Sequence, residues 1–211
     1  MRVSLYTLIF ILCFHSFAWS FEYVNQQKSY ENNRLISLNV GIGVEQFMNS
    51  KGVDGSNPGI VFQAAVGHRF NSWLGADIVY QFSTFRFNSP DPIVPTSDIN
   101  TRTGLHQEFL RLKAYYPAVV AQPYISAGIG GYQFFGLNGS TALSIPPNFM
   151  IPLGVGLQTF IYKNNISLDF DFTYHWFLGE NQGVAILRTL GLNEVSFNMY
   201  SLIGGFSFHF L

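Results

Sequence analysis

The chain has 211 residues, of which 48% are hydrophobic, 17% aromatic and only 11% charged. Soluble domains usually carry about 25% charged residues, so this composition argues against a surface built mainly for water. The 11 basic and 12 acidic residues give a net charge of −1, which offers no support for nucleic-acid binding.

Residues 1–20 have the features of a secretory signal peptide. Arg2 is followed by an apolar run, and small side chains surround a cleavage point before Phe21. An uncleaved anchor helix is the alternative interpretation, although the apolar run is short for a membrane span. The only cysteine, Cys13, lies within this segment. The mature chain is therefore predicted to contain no disulfide and no thiol chemistry.

Eight strands are predicted after the signal peptide. Residues 21–33 are polar and are expected to form a periplasmic lead-in, and residues 34–211 are predicted to form one domain. The predicted strands cover residues 34–47, 59–70, 73–87, 105–116, 124–135, 148–162, 166–176 and 195–211. Long polar loops are predicted at residues 48–58, 88–104, 136–147 and 178–194, and short connections at 71–72, 117–123 and 163–165. This alternation of long and short connections is typical of outer-membrane barrels.

Residues 166–176 carry the clearest strand pattern. Large apolar side chains occupy the even positions, and polar side chains such as Asp169 and Asp171 occupy the odd ones. A period of two indicates a strand with one apolar and one polar face. About 11 tilted residues are enough to cross the ~30 Å hydrocarbon core of a bilayer. Because no helical apolar stretch of spanning length follows the signal peptide, a closed barrel is the predicted way to cross a membrane.

The orientation of the two faces is predicted from volume. A soluble lipocalin-type barrel, the alternative, would turn the apolar side chains inward. The interior of an eight-stranded barrel is too narrow for about six large residues from every strand. The opposite face is rich in glycine, at Gly41, Gly43, Gly67, Gly75, Gly128, Gly130, Gly154, Gly156 and Gly205. We therefore expect the apolar face to contact lipid and the small and polar face to line the lumen.

Aromatic residues fall into two groups that we predict to be girdles at the membrane interfaces. The group near the short turns is Phe70, Trp73, Tyr116, Tyr124, Tyr162 and Phe210. The group near the long loops is Phe47, Phe82, Phe85, Phe135, Tyr174, Trp176 and Tyr200. Pro152 interrupts the pattern, because a residue without an N–H is expected only at a rim or a bulge of a closed barrel.

The signal peptide, the eight amphipathic strands and the aromatic last strand resemble the small bacterial outer-membrane barrels of the OmpA-transmembrane, OmpX and OmpW kind. The resemblance implies an all-β, eight-stranded, antiparallel, up-and-down transmembrane β-barrel. It also implies contact with membrane lipid and lipopolysaccharide, insertion by the barrel-assembly machinery, and a role in envelope integrity or surface interaction through exposed loops. A narrow OmpW-like pore for small solutes is the alternative function.

A charge network is predicted inside the lumen, because buried charges need partners. Its members are Arg69, Asp77, Arg111, Lys113, Asp169 and Asp171. In a ring of eight strands the seventh lies across from the third, so the two aspartates of the seventh strand can reach the cations. We expect cross-lumen salt bridges that close the barrel. Separate solvated charges along a thin water channel are the alternative.

No motif predicts a catalytic residue, a cofactor or a metal site. His175 and Glu180 resemble residues of outer-membrane lipid A deacylases, but the position of His175 in the alternation predicts that it faces the lumen. The glycine-rich residues 128–131 are expected to lie within a strand rather than in a phosphate loop. The remaining histidines of the barrel, at His68, His106 and His209, are expected to form hydrogen bonds at the rim or in the lumen.

Overall fold

The computed structural model describes residues 36–48, 56–87, 101–117, 121–136, 148–162, 165–178 and 198–210. The predicted signal peptide, the lead-in and most of each predicted long loop lie outside the described residues. The strands are β1 (Ile36–Phe47), β2 (Ser56–Arg69), β3 (Leu74–Phe87), β4 (Thr101–Tyr115), β5 (Ala121–Gly136), β6 (Asn148–Tyr162), β7 (Ile166–Leu178) and β8 (Met199–Phe210).

These strands form a closed barrel in which each strand pairs with the next and β1 pairs with β8. Every pairing is antiparallel. The predicted eight-stranded, antiparallel, up-and-down barrel is therefore confirmed. Within the described part of the chain, no helix has the length and apolar character needed to span a membrane.

Several strands extend beyond the apolar segments from which they were predicted. β4 begins at Thr101 rather than at residue 105, and β5 begins at Ala121 rather than at residue 124. At the loop end, Phe87 pairs with both Ser56 and Thr101. In β4 the ladder continues where the side chains are already polar, because backbone pairing does not require an apolar face. Prediction from polarity therefore makes the strands too short, and it places the starts of β4 and β5 too late.

Pro152 lies in the interior of β6, neither at a rim nor at a bulge, so the prediction for this residue was wrong. The ladder between β6 and β7 continues through the pair Pro152–His175. The ladder between β5 and β6 has no pairs between Ala127–Leu153 and Gly130–Met150, and the register is the same on both sides of this gap. The missing N–H is therefore accommodated by a local interruption of pairing with β5.

The two walls of the barrel have the predicted orientation. Large apolar side chains on the outer wall are exposed, as in Ile78 (70%) and Ile125 (65%). Charged and amide side chains on the inner wall are buried, as in Arg111 (1%) and Gln107 (0%). This arrangement is the inverse of a soluble barrel, and it suits an outer wall in contact with hydrocarbon.

Candidate functional site

The lumen contains a buried ion cluster of Asp77, Arg111, Lys113 and Asp171. Asp77 and Arg111 are direct partners in the β3–β4 ladder, and an Arg111 Nη2 to Asp77 Oδ2 distance of 3.0 Å joins them. Lys113 Nζ lies 2.6 Å from the same carboxylate oxygen. Arg111 Nη1 also pairs with Asp171 of β7 across the barrel. The guanidinium thus bridges two opposite walls of the lumen.

Asp171 receives further hydrogen bonds that complete its shell. The Tyr124 hydroxyl donates to Asp171 at 3.0 Å, and the Thr173 hydroxyl donates to it at 2.6 Å. A Cβ atom at Gly156 would lie only 2.2 Å from Cζ of Tyr124. A glycine at this position therefore makes room for the tyrosine ring, which explains in part why the inner wall is rich in glycine.

The structure does not place Arg69 and Asp169 in this cluster. Asp169 accepts hydrogen bonds from neutral donors, namely Asn39 (3.3 Å), Gln158 (3.0 Å), Ser167 (3.2 Å) and Ser207. No ion pair joins it to a described basic side chain. Of the six residues predicted to share a network, the structure brings four together and leaves Asp169 in a separate neutral shell.

Arg69 lies at the short-turn mouth of the lumen. Its guanidinium donates to the carbonyl oxygens of Asn71 (3.2 Å) and Ser72 (2.7 Å) in the β2–β3 turn, and to Oε1 of Gln122 (2.7 Å). The guanidinium carbon also lies 4.1 Å from the centre of the Tyr115 ring. These contacts tie the turn to the beginning of β5. Arg69 thus acts as a clamp on the short-turn rim.

A second buried polar layer lies nearer the long loops and was not predicted as a site. Glu45 is fully buried and accepts a hydrogen bond from Gln107 Nε2 at 2.7 Å. His175 Nε2 lies 3.7 Å from Glu45 Oε1 and 3.1 Å from the Ser201 hydroxyl. The alternation in β1 does place Glu45 on the inner face. Its partners could not be identified from sequence, because they belong to strands β4 and β7, which are not neighbours of β1.

An apolar plug fills the loop end of the lumen, where the sequence predicted small and polar groups. Its members are Phe47, Ala65, Val79, Phe85, Leu105, Phe109, Tyr132, Phe134, Met150, Phe177 and Met199. The rings are in contact, with centroid distances of 4.9 Å for Phe47–Phe85 and 4.3 Å for Tyr132–Phe177. Phe47 and Phe85 were predicted in the outer girdle. They occupy odd positions, which face the lumen in β1 and β3, so this prediction was wrong.

Among the residues predicted in the girdles, Trp73 (55%), Tyr116 (45%) and Trp176 (49%) lie exposed on the outer wall. Tyr174 follows the alternation of its exposed neighbours Phe172 and Trp176 and has intermediate exposure. The side chain of Tyr162 lies outside the described residues.

Tyr124 corrects the girdle prediction, because it is only 4% exposed and lies inside the barrel. Tyr124 was predicted to belong to the girdle because it lies near a short turn. The alternation of β5 places it on the same face as Ser126, which is also buried.

The arrangement around His175 differs from a hydrolytic triad. The imidazole is 0% exposed, so no substrate can reach it without opening the barrel. Ser201 and Glu45 both face the same nitrogen, Nε2, whereas a triad places the nucleophile and the acid on different ring nitrogens. Glu180 lies outside the described residues, and residues 128–131 lie within β5.

Comparison with solved structures identifies chains with the same architecture. Neisserial surface protein A has a TM-score of 0.57 and 15% sequence identity, over 84% of this chain and 97% of that one. The outer membrane protein OprG from Pseudomonas aeruginosa has a TM-score of 0.51 and 11% identity, over 86% and 97%. No protein-family model and no curated protein matches the sequence. The likeness confirms the predicted resemblance in fold: this chain has the architecture of the small eight-stranded outer-membrane barrels.

Proposed function

We propose that this chain is a non-enzymatic outer-membrane barrel whose closed lumen makes it a rigid anchor for its surface loops, serving envelope integrity or surface interaction. The observation that carries the proposal is the filling of the lumen by packed side chains. The buried polar layer around Glu45 and His175 adjoins two further layers that oppose conduction most directly. One is the ion cluster around Arg111, and the other is the apolar plug at the loop end. A protein that conducts solutes would need a continuous water path through both layers.

The ion cluster is closely packed on the side of Asp171. The space lined by Arg111, Lys113, Tyr124 and Asp171 has a cavity volume of ≈ 0 Å³. A second cavity, near Arg69 at the short-turn end, has a volume of ≈ 20 Å³. A volume of that size holds about one water molecule. The short-turn mouth is thus a shallow polar vestibule that ends at the ion cluster.

The apolar plug closes the other end by a different physical mechanism. Its aromatic and aliphatic side chains pack against one another and, apart from the Tyr132 hydroxyl, offer an ion few hydrogen-bonding partners. A charged solute would have to lose its hydration shell to cross this layer. The two layers therefore oppose conduction independently, by paired charge in one and by exclusion of water in the other.

Location in the outer membrane is supported by the apolar outer wall and by the architecture shared with known outer-membrane barrels. Contact with membrane lipid and lipopolysaccharide, export by a cleaved signal peptide and insertion by the barrel-assembly machinery are part of the proposal. Loops on a rigid scaffold are common positions for recognition, which supports a role for the cell-surface loops.

Conductance of the refolded full chain in planar lipid bilayers tests the closed lumen. Folding into the barrel is first verified by heat-modifiable gel mobility, so that an absence of current is not the result of a misfolded protein. We expect no stepwise current in concentrated KCl. Discrete, reproducible openings of the inserted wild-type protein would overturn the proposal and support a narrow passive pore.

A further inference from the structure

A chain of hydrogen-bonded amide side chains runs along one side of the lumen and ends at Asp169. Asn39 Nδ2 donates to Asp169 at 3.3 Å, and Gln63 Nε2 donates to Asn39 Oδ1 at 3.0 Å. Gln81 Nε2 then donates to Gln63 Oε1 at 2.7 Å. Because a carboxylate only accepts hydrogen bonds, Asp169 fixes the direction of every amide in this chain. The side-chain oxygen of Gln81, at the far end, has no hydrogen-bond donor.

A second, shorter chain of hydrogen bonds approaches the first from the loop end. Gln107 Nε2 donates to Oε1 of Glu45 at 2.7 Å, and the side-chain oxygen of Gln107 also lacks a donor. Gln81 and Gln107 are direct partners in the β3–β4 ladder, and both are 0% exposed. The two chains therefore meet at neighbouring side chains whose amide oxygens are both unpaired. Buried polar atoms without a partner are unfavourable, so a donor is expected at this junction.

Glu45 does not have the partners that an ionised buried carboxylate needs. Among the described residues, the only basic group within ion-pair distance is His175, whose Nε2 lies 3.7 Å from Glu45 Oε1, too far for a hydrogen bond. Its ladder partners Gly59 and Ser201 carry no charge, and its second oxygen, Oε2, has no hydrogen-bond partner. The aspartates of the ion cluster, by contrast, contact Arg111 directly. The surroundings of Glu45 therefore suit the neutral acid, which has an O–H group to donate.

We infer that Glu45 holds a proton and is the first donor of one continuous hydrogen-bond relay that ends at Asp169. A half-turn of the Gln107 amide exchanges its oxygen and its nitrogen. The Glu45 O–H group then donates to Gln107 Oε1, and Gln107 Nε2 donates toward Gln81 Oε1. A single proton thus provides partners for both unpaired amide oxygens. The members of the relay, in order from donor to acceptor, are Glu45, Gln107, Gln81, Gln63, Asn39 and Asp169.

The relay explains how Asp169 is stabilised without a basic partner. Its donors are neutral, but amides aligned in one direction polarise one another and strengthen the hydrogen bonds of the chain. Asn39 and Gln63 line the same space as Arg111, so the relay runs alongside the ion cluster. It connects the buried polar layer around Glu45 to the short-turn half of the lumen. The inference depends on the barrel fold but not on the closed lumen or on the function of the loops.

Infrared spectroscopy of the refolded full chain in lipid vesicles at neutral pH tests for the proton. A protonated carboxyl group has a C=O stretching band that is separate from the bands of ionised carboxylates. We expect this band in the difference spectrum of wild type minus E45Q. D169N is the matched control at the other end of the relay, and its difference spectrum should contain the bands of an ionised carboxylate instead. Carboxylate bands in the difference spectrum of E45Q would overturn the inference, and would indicate that Glu45 forms an ion pair with His175.

Two substitutions at Glu45 test the relay itself by urea unfolding in lipid vesicles. E45Q places an N–H donor where the acid has its O–H group, so its equilibrium constant for folding should match that of the wild type. E45L has no donor and should reduce this constant about tenfold, the scale of one buried hydrogen-bonding group left unpaired. Heat-modifiable mobility verifies folding of both variants, and the infrared measurement decides the inference if E45L does not fold. Equal losses in the two variants, or no loss in either, would contradict the relay.

Discussion

Arg111 joins Asp77 and Asp171, two carboxylates on opposite walls of the lumen, and is itself only 1% exposed. Asp77 is its neighbour in the β3–β4 ladder, but Asp171 lies on β7 and reaches it across the axis. The cross-lumen contact therefore links strands that share no backbone hydrogen bonds. Such a contact resists flattening of the barrel, in addition to closing it.

Asp171→Asn should destabilise the barrel by about 3 kcal/mol, the lower end for breaking a buried ion pair, because asparagine retains one acceptor oxygen. The measurement is the free energy of unfolding in urea after refolding into lipid vesicles. Asp169→Asn is the matched control on the same strand face. Because its carboxylate is held by neutral donors, it should cost only about 1 kcal/mol. A control that costs as much as Asp171→Asn would contradict the distinction between the two sites.

Conduction should require disruption of both layers. Phe134→Ala with Phe177→Ala opens the apolar plug, and Arg111→Ala with Asp171→Ala removes the cross-lumen link. We expect no ion current in planar bilayers from either pair of substitutions alone, because the other layer still closes the lumen. The four substitutions together should produce steady ion current. Current from either pair alone would show that one layer suffices to close the lumen.

The sequence predicted which face each charged side chain occupies, but not which partner it has. The alternation of apolar and polar residues within each strand placed Asp77, Arg111 and Asp171 in the lumen. The structure joins them there through ion pairs. Alternation also placed Glu45 and Asp169 there, yet the hydrogen bonds of these residues depend on the relative height of strands that are not neighbours. The relative positions of such strands along the barrel axis depend on the register of all eight strand pairs, which the residue pattern of a single strand does not determine.

The aromatic residues demonstrate a different limit. Tyr124, Phe47 and Phe85 were assigned to girdles from their distance to a turn, although alternation placed them in the lumen. The Tyr124 ring fits inside the narrow barrel because its direct partner Gly156 has no side chain. Recognising such pairs requires the β5–β6 register, in which Tyr124 and Gly156 are direct partners.

Gly156→Ala should therefore displace the Tyr124 ring and weaken its hydrogen bond to Asp171. The added Cβ would also lie 2.6 Å from the carbonyl oxygen of Phe170, which is backbone and cannot move freely. We expect a loss of about 2 kcal/mol, within the range for overpacking. Urea unfolding in vesicles measures it. Gly131→Ala, where the new Cβ would make only an ordinary contact of 3.5 Å with the carbonyl oxygen of Asn148, should change stability little. Equal effects of the two substitutions would argue against a steric role for Gly156.

Adjacent residues of β5 provide a test of the orientation of the two walls. Ile125 is 65% exposed on the outer wall, and Ser126 is 9% exposed on the inner wall. Cys13, the only cysteine, lies in the predicted signal peptide, so a mature Ile125→Cys or Ser126→Cys variant carries one thiol. A nitroxide at position 125 should collide readily with oxygen, which concentrates in hydrocarbon, and poorly with a water-soluble nickel chelate. At position 126 the accessibility to oxygen should fall sharply, because the side chain lies in the packed lumen. Electron paramagnetic resonance power saturation measures both accessibilities. The reverse order at these two positions would mean that the apolar wall faces the axis, which is incompatible with a membrane barrel.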